Sequence, residues 1–161
     1  MSATQIEITQ PKSNEFDADS DLRSALDDNR HRSFLHRAAD AGNLYIARLD
    51  GAYAGGMVLG GTNAGESVFN GSFFDRGFVW LIWVEEPFRR MGVASALMRQ
   101  AEEDCPSDDL FTSTNLSNVP AQRLFEKLGY TRTGMVENLD EGDPEVFYFK
   151  RLRRPASDRR S

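Results

Sequence analysis

The sequence predicts an α/β domain in which helices flank a mixed β-sheet. Apolar residues in helical spacing alternate along the chain with short strand-like runs. One run, residues 78–84, contains no polar residue, which is typical of a strand covered on both faces in the middle of a sheet. The Asp50-Gly51 dipeptide separates two other runs and favours a type I′ hairpin, which adds an antiparallel pair.

The first half of the chain predicts two helices and a hairpin after a short strand over residues 4–9. Leu22 and Leu26 are in helical spacing, and a second helical pattern over residues 34–39 ends at Gly42. The hairpin strands are predicted over residues 44–49 and 52–59. A glycine-rich stretch follows, and four apolar residues within or beside it favour further strand: Val68, Phe69, Phe73 and Phe74.

The second half predicts two helices and three strands after the apolar run. The first helix follows residue 92 and is stopped by Pro106. A strand over residues 110–114 precedes a short helix with Gly129 as its C-cap. The apolar face of this helix is formed by Ala121, Leu124, Phe125 and Leu128, and two closing strands are predicted over residues 130–136 and 145–152.

The length and charge of the chain restrict its class. With 161 residues, it fits one domain over residues 1–152, followed by a basic, disordered tail over residues 153–161. The net charge is −6, but residues 150–161 carry +5, which leaves −11 for the rest. Such a body repels nucleic acid phosphates. No apolar run approaches the roughly 18 residues of a membrane span, and residues 1–10 lack a secretory signal, so we expect a cytoplasmic protein.

The turn at residues 89–94, Arg-Arg-Met-Gly-Val-Ala, predicts a pyrophosphate site. It joins the apolar strand to a helix whose first backbone N–H groups are free and lie at the positive end of the helix dipole. Gly92 allows close approach of the backbone, and Arg89 or Arg90 adds charge-assisted hydrogen bonds. The Lys and Ser or Thr of a P-loop are absent after the glycine, which disfavours a nucleotide hydrolase.

Two motifs resemble those of the GNAT superfamily of acyl-CoA-dependent N-acyltransferases, over roughly residues 44–152. The first is Arg89-x-x-Gly92-x-Ala94, five residues after Val84, and the second is Asn118-x-x-Ala121-x-x-Leu124-Phe125-Glu126-Lys127-x-Gly129-Tyr130. The resemblance implies a mostly antiparallel sheet and acetyl-CoA as acyl donor. It implies an oxyanion-stabilising backbone N–H near Val84 and places the Asn118 region along the pantetheine arm. The implied donor-binding residues are Val84, Arg89, Arg90, Met91, Gly92, Val93, Ala94 and Asn118.

The resemblance leaves the catalytic groups open. Many relatives carry a Glu in the central strand, whereas here Glu85 and Glu86 follow the strand. Glu85 is the first candidate for the general base and Glu86 is the second. Asp75 and the 140–143 loop are alternatives. Phe125 stands where the family often has a tyrosine acid, and it is interpreted as core; Tyr130 is likewise a packing residue. Ser117 and Tyr148 stay open as the acid.

The acceptor and the partners are less defined. The implied reaction acetylates a primary amine of a small molecule or protein, and the acidic body favours a cationic acceptor. Trp80 and Trp83, three residues apart on a strand, are expected on opposite faces, with one of them available to line the acceptor pocket. No metal site is expected, and a homodimer stays open. The alternative function is a catalytically inactive CoA-binding regulatory domain or a protein-interaction domain.

Overall fold

The computed structural model describes residues 3–27, 31–60 and 76–152. The chain forms, in order, strand β1 (Ile6–Thr9), a 3-10 turn (Ser13–Ala18), helices α1 (Ser20–Asp27) and α2 (Arg32–Asp40), strands β2 (Leu44–Leu49), β3 (Ala52–Gly60) and β4 (Gly77–Val84), a second 3-10 turn (Glu86–Phe88), helix α3 (Val93–Asp104), strand β5 (Asp109–Asn115), helix α4 (Val119–Lys127), and strands β6 (Thr131–Val136) and β7 (Glu145–Arg151). No helix in these ranges has the length and apolar character of a membrane span.

The strands form one sheet in the order β1-β2-β3-β4-β5-β7-β6. Neighbouring strands are antiparallel except for β4 and β5, which are parallel. A parallel pair needs a long crossover, which α3 provides here. The predicted fold class, a mixed and mostly antiparallel sheet flanked by helices, is therefore confirmed.

Local turn signals in the sequence match the backbone. Asp50 and Gly51 both have positive φ, 49° and 88°, as the type I′ turn between β2 and β3 requires. Helix α3 ends one residue before Cys105, whose extended backbone precedes Pro106. Gly129, with φ of 93°, follows the end of α4 and makes the left-handed turn predicted for it.

The sheet separates two apolar cores. Helices α3 and α4 cover one face, in a core that includes Ala54, Met57, Val79, Val93, Leu97, Met98, Leu110, Phe125, Val146 and Tyr148. Helices α1 and α2 cover the other face over β2 and β3, in a core formed by Phe16, Leu22, Leu26, Leu35, Ala38, Ala39, Leu44, Ile46, Tyr53 and Val58. We call these the α3 core and the α1 core.

Strand β4 lies fourth among the seven strands of the described ranges, so its predicted central place is confirmed. The prediction that both of its faces are covered along the whole run is wrong. Residues 77–79 are buried, but Trp80 is 37% exposed and residues 81–84 are only half-buried. The reason is that β4 pairs with β5 only from Gly77 to Val79. Beyond that point one edge of the strand is open.

The two tryptophans lie on the same face of β4, contrary to the prediction. Leu59 pairs with Val79 and Val58 pairs with Leu81, so Trp80 is an extra residue that forms a β-bulge. A bulge shifts the alternation of faces by one residue. The Trp80 ring contacts Phe78, with centroids 4.5 Å apart, on the face away from α3, and Trp83 packs against the α1 core on that face.

Several predictions fall outside the described residues. These are the further strand predicted at Val68, Phe69, Phe73 and Phe74, the alternative base Asp75, and the tail predicted over residues 153–161.

Candidate functional site

The site is organised around a gap between β4 and β5. The two strands are paired at Gly77–Leu110, Phe78–Phe111 and Val79–Thr112, and not beyond. Strand β5 continues to Asn115 while paired with β7 on its other side. From Trp80 to Val84, the edge of β4 that faces β5 is therefore unpaired and borders an opening between the two strands.

The backbone of Val84 faces this gap. The N–H of Glu85 donates to the carbonyl oxygen of Ala54 in β3, at 2.8 Å. Neighbouring residues of a strand direct their N–H and C=O groups to opposite edges, so the N–H and C=O of Val84 point away from β3. Arg89 donates from Nε to the carbonyl oxygen of Val84, at 3.2 Å. One of the five guanidinium donors of Arg89 is thus used within the protein, and the Val84 N–H is directed into the gap.

The predicted pyrophosphate turn follows at the same end of β4. Arg90 and Gly92 have positive φ, 64° and 85°, on either side of Met91. Such alternation directs successive backbone N–H groups into a concavity that suits an anion. A Cβ added at Gly92 would meet no atom within 4 Å, so the space in front of the turn is open.

The start of α3 adds further donors to this turn. The N–H of Ala96 bonds to the carbonyl oxygen of Gly92, at 3.0 Å, and is the first amide to bond along the helix. The amides of Val93, Ala94 and Ser95 precede it and have no partner within the helix, as is usual in a first helical turn. The Val93 side chain is buried in the α3 core, so this residue has only its backbone to offer a ligand, whereas Arg89, Arg90 and Met91 are exposed.

Of the two candidate bases, the structure brings Glu85 into a polar cluster. The hydroxyl of Tyr53 donates to Oε1 of Glu85 over 3.1 Å, and Nε1 of Trp83 donates to the hydroxyl oxygen of Tyr53 over 2.7 Å. Glu85 is half-buried, whereas Glu86 lies exposed at the start of the 3-10 turn. The sequence did not single out Tyr53, since its contact with Glu85 spans 32 residues.

Burial raises the pKa of Tyr53 far above its usual value. Of the smaller effects, the hydrogen bond from Trp83 lowers the pKa, and the Glu85 carboxylate raises it. Tyr53 therefore stays protonated and acts as a hydrogen-bond donor at physiological pH.

Asn118 is the N-cap of α4. Its Oδ1 accepts the N–H of Ala121 over 3.2 Å, and Pro120 occupies the first turn. The residue is exposed, so its side-chain NH₂ is available to a ligand beside the cap.

The loop between β6 and β7 is bound to the turn that precedes α4. Asp143 accepts the N–H of Ser117 at 3.0 Å and its hydroxyl at 2.5 Å. Asp140 accepts from Asn115 Nδ2 at 2.8 Å. These hydrogen bonds therefore form a structural network that contains a candidate acid, Ser117, and two of the alternative bases, Asp140 and Asp143.

Phe125, at the position where relatives often have a tyrosine acid, and Tyr148, an alternative acid, are both buried. Phe125 has no exposed surface and packs against Tyr148 and Tyr130, with ring centroids 5.5 and 6.1 Å away. The hydroxyl of Tyr148 is also buried and has no hydrogen-bond partner within the described ranges. In the same ranges, no three side chains of His, Cys, Asp or Glu come together as a metal site.

The chain is similar in sequence to known acetyltransferases. The profile of the acetyltransferase (GNAT) family matches residues 6–130. N-alpha-acetyltransferase 30 of Xenopus laevis is 33% identical over 64 residues, which are 37% of this chain and 23% of the frog protein. The chain therefore spans under a quarter of that relative.

Solved structures extend the similarity over most of the fold. A GNAT family acetyltransferase from Bacillus cereus has a TM-score of 0.76 and 29% identity, over 93% of this chain and 99% of its own. A candidate streptothricin acetyltransferase from Bacillus anthracis, solved in complex with acetyl coenzyme A, has a TM-score of 0.55 and 21% identity, over 68% of this chain and 63% of its own. The family match covers most of the sequence, and the chain belongs to the GNAT family of acetyltransferases.

Proposed function

We propose that this protein transfers an acetyl group from acetyl-CoA to a primary amine by direct attack. The observation that carries the proposal is the opening between β4 and β5, with the Val84 N–H facing it and the donor-rich turn at Gly92 at its end. The family match favours acetyl transfer over a catalytically inactive regulatory or interaction domain. The name of the Xenopus relative supports an amine acceptor.

The donor would bind with its pyrophosphate at the turn over residues 89–94. The free amides of α3 and the exposed Arg90 supply positive partial and full charge there. The pantetheine arm would follow the gap past the side-chain NH₂ of Asn118. The thioester carbonyl would then accept the Val84 N–H, which stabilises the oxyanion as the amine adds.

The acceptor amine must lose a proton to react. A primary amine with a pKa of about 10.4 is neutral in only about 1 part in 2,500 at pH 7, equivalent to roughly 4.6 kcal/mol. Glu85, at the end of β4, is the proposed base and takes the proton directly or through water. The amine nitrogen forms the new bond to the acetyl carbon, and CoA leaves as its thiolate, which needs little help from an acid.

The charge of the protein supports a cationic acceptor. Residues outside the basic end carry a net −11, and such a field raises the local concentration of amines in their protonated form. A small-molecule amine and a protein amine are both compatible with this field.

The test is release of free CoA thiol from acetyl-CoA across an amine panel that includes polyamines, amino acids, aminoglycosides and peptides with free N-termini. Amine-dependent release supports transfer. Binding of acetyl-CoA with no release from any amine would favour the regulatory alternative. For the base, Glu85→Gln should lower kcat by about a hundredfold. Glu86→Gln is the matched control, and an equal loss in both variants would remove Glu85 from its role.

A further inference from the structure

The hydrogen bonds from Trp83 to Tyr53 and from Tyr53 to Glu85 have a fixed direction. An indole N–H only donates, and an ionised carboxylate only accepts. Because the Tyr53 oxygen accepts from Trp83 at 2.7 Å, its single proton is directed to Oε1 of Glu85 at 3.1 Å. The chain of donors therefore runs from Trp83 through Tyr53 and ends at the carboxylate.

We propose that Tyr53 is a positioning residue for Glu85 and that Trp83 holds the Tyr53 hydroxyl in its donating orientation. The proposal rests on the function proposed above, in which Glu85 is the base. The Tyr53 hydroxyl donates to Oε1 of Glu85, which leaves Oε2 of Glu85 to accept the proton of the amine. A carboxylate held in one orientation loses less entropy when the amine arrives than a freely rotating one does.

Packing makes this chain of donors rigid. Tyr53 is 8% exposed, in the α1 core, and the indole of Trp83 lies over Gly56 of β3. A Cβ at Gly56 would lie 2.6 Å from the Trp83 ring, so only glycine leaves room for the indole in this place. The N–H of Glu85 is itself bound to Ala54 at 2.8 Å, which anchors the backbone below the carboxylate.

A second tyrosine provides a matched control. Tyr45 in β2 is 3% exposed, and its hydroxyl donates to Oδ2 of Asp104 over 2.7 Å, at the end of α3. Like Tyr53, Tyr45 is a buried phenol that is hydrogen-bonded to a carboxylate. Its side chain, however, lies in the α3 core, on the opposite face of the sheet from Tyr53. Tyr45→Phe and Tyr53→Phe therefore remove the same kind of bond.

Kinetics with the amine that gives the fastest thiol release would test the proposal. We expect Tyr53→Phe to lower kcat about tenfold with the KM for acetyl-CoA unchanged, and Tyr45→Phe to leave both unchanged. Trp83→Phe should lower kcat by a smaller factor, since the hydroxyl stays but its orientation is released. Wild-type kcat in both Tyr53→Phe and Trp83→Phe would overturn the positioning role.

The double variant separates this proposal from the assignment of the base. In the Glu85→Gln background, Tyr53→Phe should cause no further loss, because the two residues act as one unit. An additional tenfold loss there would mean a structural role and would overturn the proposal. If Glu85→Gln alone retains wild-type kcat, the base assignment fails, and the positioning role, which rests on it, fails with it.

A measurement without turnover tests the contact itself. The side-chain carboxyl ¹³C signal of Glu85, assigned by its loss in Glu85→Gln, should move in Tyr53→Phe and stay in place in Tyr45→Phe. An unmoved signal in Tyr53→Phe would show that the hydrogen bond is absent in solution and would overturn the proposal, even if acetyl transfer is confirmed.

Discussion

The hydroxyl of Thr112 donates a hydrogen bond to the carbonyl oxygen of Val79 over 3.2 Å, at the last residue pair that joins β4 to β5. Thr112 has no exposed surface. A buried side-chain hydrogen bond therefore joins β4 and β5 at the point where the strands separate and stabilises this junction. The gap in the sheet begins at this hydrogen bond.

Replacement of Thr112 by valine should lower the free energy of unfolding by about 1 kcal/mol, because it removes this buried hydrogen bond at nearly constant volume. Urea denaturation measures the change. Thr114→Val is the control, since Thr114 lies two residues further along β5 and its hydroxyl makes no side-chain hydrogen bond within the described ranges. Equal losses in the two variants would contradict a special role for the Thr112 bond.

Gly92→Asp should weaken acetyl-CoA binding by at least about tenfold, or roughly 1.4 kcal/mol, because it adds a negative charge in front of the proposed pyrophosphate turn. Gly51→Asp is the control, because both glycines have positive φ, 85° and 88°, and open space beside them. The backbone strain is therefore similar in the two variants. Calorimetric titration that gives equal affinity for both would refute the assignment of the turn.

Substitutions at Asn118 can separate helix capping from ligand contact. Asn118→Ala should lower the stability by about 1 kcal/mol because the Ala121 N–H loses its acceptor. Asn118→Asp keeps that acceptor and the stability, but it removes the side-chain NH₂ and should weaken acetyl-CoA binding. Thermal unfolding and titration measure the two effects. Unchanged affinity in the aspartate variant would restrict Asn118 to capping.

Asp19 should make stability depend on pH. The Leu22 N–H at the start of α1 is the main cause that lowers the pKa of this carboxyl, and Arg48 adds to it. Because folding lowers the pKa of Asp19, this carboxylate stabilises the fold at pH values above its pKa in the unfolded chain, near 3.9. The stabilisation is lost as the pH falls through the lower pKa of Asp19 in the folded protein. Asp19→Asn should therefore lose stability at pH 7 and resemble wild type near pH 2, by urea denaturation. An equal difference at both values would exclude the charge as the cause.

Features that depend on neighbouring residues in the chain could be read from the sequence. The Asp50-Gly51 hairpin and the Gly129 helix end need left-handed backbone, which few residue types adopt, so the residue type predicts the conformation. Gly92 follows the same rule, whereas the positive φ of Arg90 could not be read from its residue type. The place of this turn between an apolar strand and an amphipathic helix indicated an anion site.

Features that depend on a partner strand could not be read in this way. The bulge at Trp80 exists only because β3 pairs with one residue fewer than β4 supplies, so the alternation that predicted opposite faces for Trp80 and Trp83 did not hold. The exposure of residues 81–84 likewise depends on where β5 leaves β4, and no residue within β4 marks that point.

The sequence by itself determined the order of the described elements, the glycine turn before α3 and the family, because each of these follows from local backbone preference or from motifs of fixed spacing. Tertiary structure decided which of the two candidate carboxylates is held in a polar cluster. Glu85 and Glu86 are adjacent and identical in type, and they differ only in what packs beside them: Tyr53 and Trp83 approach Glu85, while Glu86 faces solvent. That difference arises from pairing between β3 and β4, and contacts across 30 or more residues leave no local signal in the chain.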